Sequence, residues 1–312
     1  MEKIFGDVTN SLKSVMEHAA KVVVGQTSTL KQVILALLCD ANVLLEGYPG
    51  LAKTLSVRTL AQLMELKFSR IQGTPDLMPS DITGTYVLEE KDGKRDFKFQ
   101  PGPVFANIVL FDEINRAAPK TQSSLLEAMQ EKQVTVGNKT FKLDKPFFVL
   151  ATMNPIEMEG TFQLPEAQSD RFLFKIKTDY PSFEEEIEIV SRYTDILKDP
   201  ELKPIVTKEQ LLKMQDLVRK IPVANDIKKF AVELVTKSRV SKELIEYGAS
   251  PRASIGLILA AKANALFEGR SYVTKDDIKE ASFPVLRHRI ILNFEAERNN
   301  FNEDDVIKYL LK

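Results

Sequence analysis

Along the first 180 residues, short unbroken apolar runs alternate with stretches of helical periodicity. The runs are ANVLLEG (41–47), LKFSRIQG (66–73), NIVLFDE (107–113), PFFVLATMN (146–154) and FLFKIKT (172–178), each bounded by turn residues. Between them fall an opening helix, a helical pattern over 53–64 and another over 123–132. Continuous apolar runs separated by helices predict a parallel sheet covered on both faces. Two segments break this pattern. YVLEEKDGKRDFKFQ (86–100) sets Asp92-Gly93 between two strand-like arms, and QVTVGNKTFKL (133–143) alternates on either side of Gly137-Asn138. Both predict hairpins, with Asp-Gly the stronger signal.

Past Asp179-Tyr180-Pro181 the pattern turns to helix after helix. Ser182 with Glu185, Thr207 with Gln210 and Thr274 with Asp277 each form a capping-box pair. Ser250-Pro251 suits an N-cap and the first helical position. The expected architecture is therefore α/β. A three-layer parallel-sheet domain over 1–180 carries two β-hairpin insertions, and an all-helical domain follows over 181–312.

Composition narrows the class. The chain has 312 residues, with 43 Lys and Arg against 44 Asp and Glu, for a net charge of -1. That balance exerts no global pull toward nucleic acid or anionic membrane. Cys39 is the single cysteine, which excludes an internal disulfide framework and fits a reducing compartment. His18 and His288 are too few and too far apart for a zinc site. No apolar stretch nears the ~20 residues of a membrane span, and MEKIFGDV lacks the apolar core of a signal peptide. These features predict a soluble, intracellular chain, placed in the cytoplasm.

The chemistry concentrates at strand ends. Gly47-Tyr48-Pro49-Gly50-Leu51-Ala52-Lys53-Thr54 lies between a buried strand and a helix. Small residues let backbone N–H groups turn inward on a phosphate, and a helix N-terminus and a cation add to the attraction. Lys53 can reach β- and γ-phosphates, and the Thr54 hydroxyl can ligate magnesium. Ala52 stands where the general pattern has glycine. Ile108 to Phe111 bury a strand that ends in Asp112-Glu113, at the edge where open α/β sheets bind ligands. Asp112 can hold magnesium through its water shell, and Glu113 can polarise an attacking water. A further strand delivers Asn154, which can bond that water or a γ-phosphate oxygen; beside Pro155 it can equally form a turn. Arg171 and Arg252 are candidate charges for a phosphoryl-transfer transition state, or exposed arginines without a partner. Arg252 sits in the first turn of its helix, where the macrodipole disfavours a cation unless an anion lies nearby.

Taken together, these residues resemble an AAA+ ATPase, and most closely the MoxR family, over nearly the whole chain. GYPGLAKT is similar to that family's phosphate loop, in which alanine before the lysine is usual. The resemblance implies that the loop through Leu55 cradles ATP and that Val24-Gly25-Gln26 touches the adenine. IVLFDEINR (108–116) resembles the second nucleotide motif, and ATMNP (151–155) the sensor 1 strand. LPEAQSDRF (164–172) resembles the arginine-finger stretch, which implies that Arg171 acts on a neighbouring subunit. SPRAS (250–254) resembles sensor 2, which implies that Arg252 contacts the γ-phosphate of its own subunit. Also implied are ATP and Mg2+, a homo-hexameric ring and chaperone-like remodelling. Client complexes would be assembled or loaded with metal cofactors, beside a separate partner carrying a von Willebrand factor A domain.

Three rivals stay open. A DNA-remodelling motor could use Lys91, Lys94, Arg95 and Lys139 at the hairpin tips, but Glu89, Glu90, Asp92 and Asp96 interleave with them, which argues against nucleic acid. A magnesium-chelatase-like subunit is compatible with the hairpins. A nucleotide-gated module without turnover would have no use for Glu113. Elsewhere, ASIGLILAAKANALF (253–267) is expected to be core, and Pro284 to Ile291 a surface or interface segment.

Overall fold

The computed structural model describes residues 2–91, 94–154, 161–194 and 201–312. It opens with α1 (Glu2–Ala20) and α2 (Thr27–Leu38), then β1 (Val43–Gly47), α3 (Lys53–Leu63) and β2 (Phe68–Gln72). A short α4 (Pro79–Thr83) leads into the first hairpin, β3 (Gly84–Lys91) and β4 (Lys94–Pro101). Next come β5 (Ile108–Asp112), α5 (Pro119–Glu131) and the second hairpin, β6 (Gln133–Val136) and β7 (Lys139–Lys142). Strand β8 (Phe148–Met153), the single turn α6 (Glu166–Ser169) and β9 (Phe174–Thr178) complete the sheet region. The remainder is almost all helix. It comprises α7 (Phe183–Thr194), α8 (Lys208–Lys220), α9 (Asn225–Val240), β10 (Ile245–Tyr247), α10 (Pro251–Phe267), α11 (Lys275–Leu286), β11 (Ile291–Leu292), α12 (Phe294–Arg298) and α13 (Glu303–Leu310).

The five strands pair in the order β2-β5-β8-β1-β9, all parallel. Their apolar runs are continuous because each face has its own core. Val43, Leu45, Ile108, Leu110, Phe148 and Leu150 pack with α1, α2, α3 and the later helices. Leu44, Val109, Phe111, Val149 and Ala151 face the other way, toward α5 and the loops beside it. Successive residues point to opposite faces, so both faces of the central strands are mostly apolar. Burying each such side chain stabilises the fold by roughly 1.5–3 kcal/mol.

Both hairpins form, and stacked Phe99 and Phe141, 4.2 Å apart, join them. The predicted Asp92-Gly93 turn lies outside the described residues. Helix α5 begins at Pro119, four residues before the apolar pattern suggested, because Pro fits the first helical turn. Ser182, Thr207, Thr274 and Ser250 all cap as expected, and a further capping box appears at Asn302 with Asp305. Helix α10 is core as predicted: Ala253, Leu257, Ala260 and Ala261 are buried. Cys39 is buried, and desolvation pushes its thiol up to about 12, so it is inert at neutral pH. No described helix is long and apolar enough to cross a membrane.

One buried carboxylate ties the α10–α11 pair. Asp277 is 2% exposed and accepts from Arg270, Thr274 and Asn264. Burial alone would raise its pKa; the bonds from Arg270 and Thr274 outweigh burial and lower it. A depressed folded pKa contributes stability that is complete above the ordinary aspartate value and fades as pH falls through the folded one. Asp277→Asn should therefore lower the Tm at pH 7, and the gap to wild type should narrow below about pH 4. Thermal melts from pH 7 to 3 check this, and a gap independent of pH would refute it.

Candidate active site

Strands β1, β5 and β8 end at one edge of the sheet, and their ends surround a cavity of about 540 Å³. Pro49 to Leu55, Asp112, Glu113 and Asn154 line one part of it. Val22, Val23, Val24, Gln26, Pro181, Ile189 and Tyr193 line the rest, a largely apolar wall suited to a flat base. The loop reaches its shape through two residues in the left-handed region, Gly50 at φ +83° and Ala52 at φ +52°. Ala52 is thus the N-cap of α3 in a conformation that glycine adopts more easily. Lys53, the first residue of α3, donates from Nζ to the Gly47 carbonyl at 2.6 Å. Burial pulls its pKa below the ordinary value, with Asp112 and then Glu113 pulling the other way. A half-buried ammonium at a helix N-terminus, touching a carbonyl, is fitted to an anion.

Gly25, Gly47 and Tyr48 stand behind the lining. Gly25 has φ +75° beside Pro181, and a β-carbon on Gly47 would lie 2.8 Å from that of Thr178. Tyr48 stacks on Tyr180 at 4.9 Å. Gln26 is buried, accepting from Thr29 and donating to the Asp179 carbonyl.

The adjacent acids are held by groups that the sequence reading did not single out. Asp112 takes Arg70 Nη2 at 2.7 Å on one oxygen and the Thr152 hydroxyl at 2.6 Å on the other. Thr152 Oγ1 in turn accepts the Glu113 backbone N–H at 2.9 Å. Glu113 sits at φ +56°, an uncommon conformation for a side-chain-bearing residue and one that concentrates at functional sites. Its carboxylate accepts Gln72 Nε2 at 2.9 Å and Arg116 at 3.3 Å. Arg70 and Gln72 alternate along β2, and Gln72 pairs in register with Asp112. That two-residue spacing was the available signal. Against this edge only glycine fits at 73, since a β-carbon there would lie 2.1 Å from the Glu113 carbonyl oxygen. Among the described residues no cluster of three or more His, Cys, Asp or Glu forms a metal site by itself.

The two arginines lie elsewhere. Arg171 and Arg252 line a second cleft with Asp170, Lys132 and Ile255, and neither lines the cavity around Lys53. Arg252, for which the resemblance implies the γ-phosphate of its own subunit, lies outside that cavity. Its anion is Asp170, 3.5 Å away at the N-terminus of α10. The segment 284–291, expected to be surface or interface, is mostly buried and packs against residues 170–175 of the same chain. Pro284 lies inside α11, and the Arg289 side chain is 3% exposed. His288 is half-buried, and desolvation followed by the charge of Arg289 pushes its pKa well below the ordinary value.

Residues 42–174 match the family described as "ATPase family associated with various cellular activities (AAA)", and residues 237–309 match the AAA lid domain. Fold and site thus define an AAA ATPase with a helical lid. Chaperone MoxR1 of Mycobacterium tuberculosis is 43% identical over 97% of this chain and 81% of its own. Protein MoxR of Paracoccus denitrificans is 30% identical, covering 87% of this chain and 86% of its own. A solved structure of a candidate ATPase from Cytophaga hutchinsonii superposes with a TM-score of 0.92 at 44% identity, over 99% of this chain and 96% of that one. The chain belongs to the MoxR family of AAA ATPases, and membership implies that it binds and hydrolyses ATP.

Two substitutions test the geometry. Gly73→Ala must displace the Glu113 backbone, and phosphate release should fall by about 100-fold while nucleotide binding survives. Wild-type turnover would show that the contact relaxes freely. Ala52→Gly should preserve ATP affinity and Ala52→Val should weaken it, since a β-branched residue is strained at positive φ. Equal affinities by calorimetry would remove the loop conformation from the account.

Proposed function

We propose that the chain is a Mg-dependent ATPase whose catalytic site is shared by two neighbouring copies in a ring. One observation carries this reading: Lys53, Asp112, Glu113 and Asn154 share a cavity from which both arginines are absent. Phosphoryl transfer builds charge on the terminal phosphate, which arginines commonly neutralise. Their place in a separate cleft supports a role toward another copy's nucleotide.

Lys53 and the loop amides bind the β- and γ-phosphates, with the adenine against Val22 to Val24, Gln26 and Tyr193. The Thr54 hydroxyl and, through water, Asp112 would hold magnesium, which when bound offsets phosphate charge and orients the terminal group. Glu113, aided by Asn154, orients the attacking water. Before that, Gln72 and Arg116 hold the Glu113 carboxylate and Arg70 holds Asp112, so both acids change partners as the site fills. Arg171 and Arg252 of the neighbour complete the charge balance.

The ring is proposed to be a homo-hexamer, with chaperone-like remodelling as its work and a separate von Willebrand factor A domain protein as its partner. A DNA motor is the weaker reading. Hairpin cations are matched by acids, Lys98 with Glu89 at 3.2 Å and Arg95 with Glu90 at 3.1 Å.

Glu113→Gln should keep ATP affinity and lose roughly 100-fold or more in steady-state phosphate release. Unchanged release would take Glu113 out of the water-orienting role. Mixing Lys53→Ala chains with Arg171→Ala chains should recover hydrolysis that neither supports alone. No recovery in assemblies shown to contain both would contradict the shared site.

A further inference from the structure

We infer that Asp170 and Arg289 are positioning residues that hold Arg171 and Arg252 as a single unit aimed at the neighbouring copy's nucleotide. This rests on the shared-site reading above and adds two residues to it that lie outside the cavity around Lys53.

Arg289 follows α11, in the lid, yet most of its bonds go to the chain on either side of Arg171. Its Nε donates to the Asp170 carboxylate at 2.8 Å. One terminal nitrogen donates to the carbonyls of Asp170 and Phe172, at 2.9 and 2.5 Å. The other donates to the carbonyls of Leu173 and Val285. All five guanidinium N–H groups are thereby used, the full capacity of the side chain. His288 adds a bond to the Phe172 carbonyl at 2.9 Å, and Arg287 one to the Lys175 carbonyl at 3.3 Å. Three consecutive lid residues therefore hold the segment that carries Arg171.

Asp170 makes the second link. Its carboxylate accepts the Ser250 hydroxyl at 3.0 Å and pairs with Arg252 at 3.5 Å, besides Arg289. Ser250 is the N-cap of α10, so one carboxylate fixes both the start of that helix and the arginine in its first turn. It also lies between two guanidinium groups that would otherwise repel one another. The Arg171 side chain, by contrast, has little to aim it. It touches Gln130, and among the described residues its Nε is buried without a partner. Its direction is inherited from the backbone that Arg289 clamps. Arg289 can be replaced in charge by lysine but not in geometry, because an ammonium has no planar fork.

The test uses the mixture of Lys53→Ala and Arg171→Ala chains, where the Lys53→Ala chain supplies the intact arginine face. Asp170→Asn or Arg289→Lys placed in that chain should cut the recovered hydrolysis by at least about tenfold, the cost of a misplaced group. The same change placed in the Arg171→Ala chain should leave recovery intact, since that arginine face is already disabled. Asp170→Glu, which keeps the charge, should recover part of the loss. Uniform Asp170→Asn chains should show a lower kcat at an unchanged KM for ATP. Equal losses in both placements would mean a general folding role and overturn the inference, as would no loss in either. Failure of the parent mixture to recover would overturn the shared-site reading itself, a distinct result.

Discussion

Parallel pairing of β1, β8 and β5 is the constraint from which the site follows. Because Glu46 pairs with Met153, and Phe111 pairs with Ala151, the three strands stop together at one edge. That register brings Lys53 after β1, Asp112 and Glu113 at the end of β5, and Asn154 after β8 around one cavity. The Thr152 hydroxyl fastens two of the strands, donating to Asp112 and accepting from Glu113. A one-residue slip would exchange the residues of the two packed faces and misalign these strand ends. The stability of the sheet and the geometry of the chemistry are therefore one requirement.

The opposite charge is handled in a different place. Arg252 and the buried Arg289 pair with Asp170, next to Arg171 in the chain, where the lid meets the segment before β9. A cavity that lacks arginines and a cleft that holds them make two unlike surfaces on one chain. Two unlike complementary surfaces join head to tail, and a head-to-tail contact closes as a ring when its rotation allows. Under the proposed shared site, tying the arginines to the lid through Arg289 would couple the lid to the adjacent copy's nucleotide.

Much of this was legible in the residues before any coordinates. The apolar runs marked all five strands to within two residues at either end, and Gly, Pro, Ser and Thr marked the joints. The loop around Lys53 and the Asp112-Glu113 pair were readable because local sequence determines them. Arg70, Gln72 and Arg289 were not, since their importance comes from strands and helices that meet only in the folded chain. Arg252 is instructive. The macrodipole argument correctly required an anion near it, but the anion in the structure is Asp170, distant in sequence. His288 and Arg289 were expected in a surface or interface segment because polar residues usually lie there; the carbonyls that His288 Nε2 and the Arg289 terminal nitrogens reach include those of residues 170, 172 and 173.

The measurement closest to the central claim is hydrolysis per chain as a function of protein concentration, read alongside sedimentation in ATP and magnesium. Turnover per chain should rise with concentration and level off as the monomer disappears if, as proposed, each cavity needs another copy's arginines. A constant turnover per chain across a range in which the protein stays monomeric would contradict it.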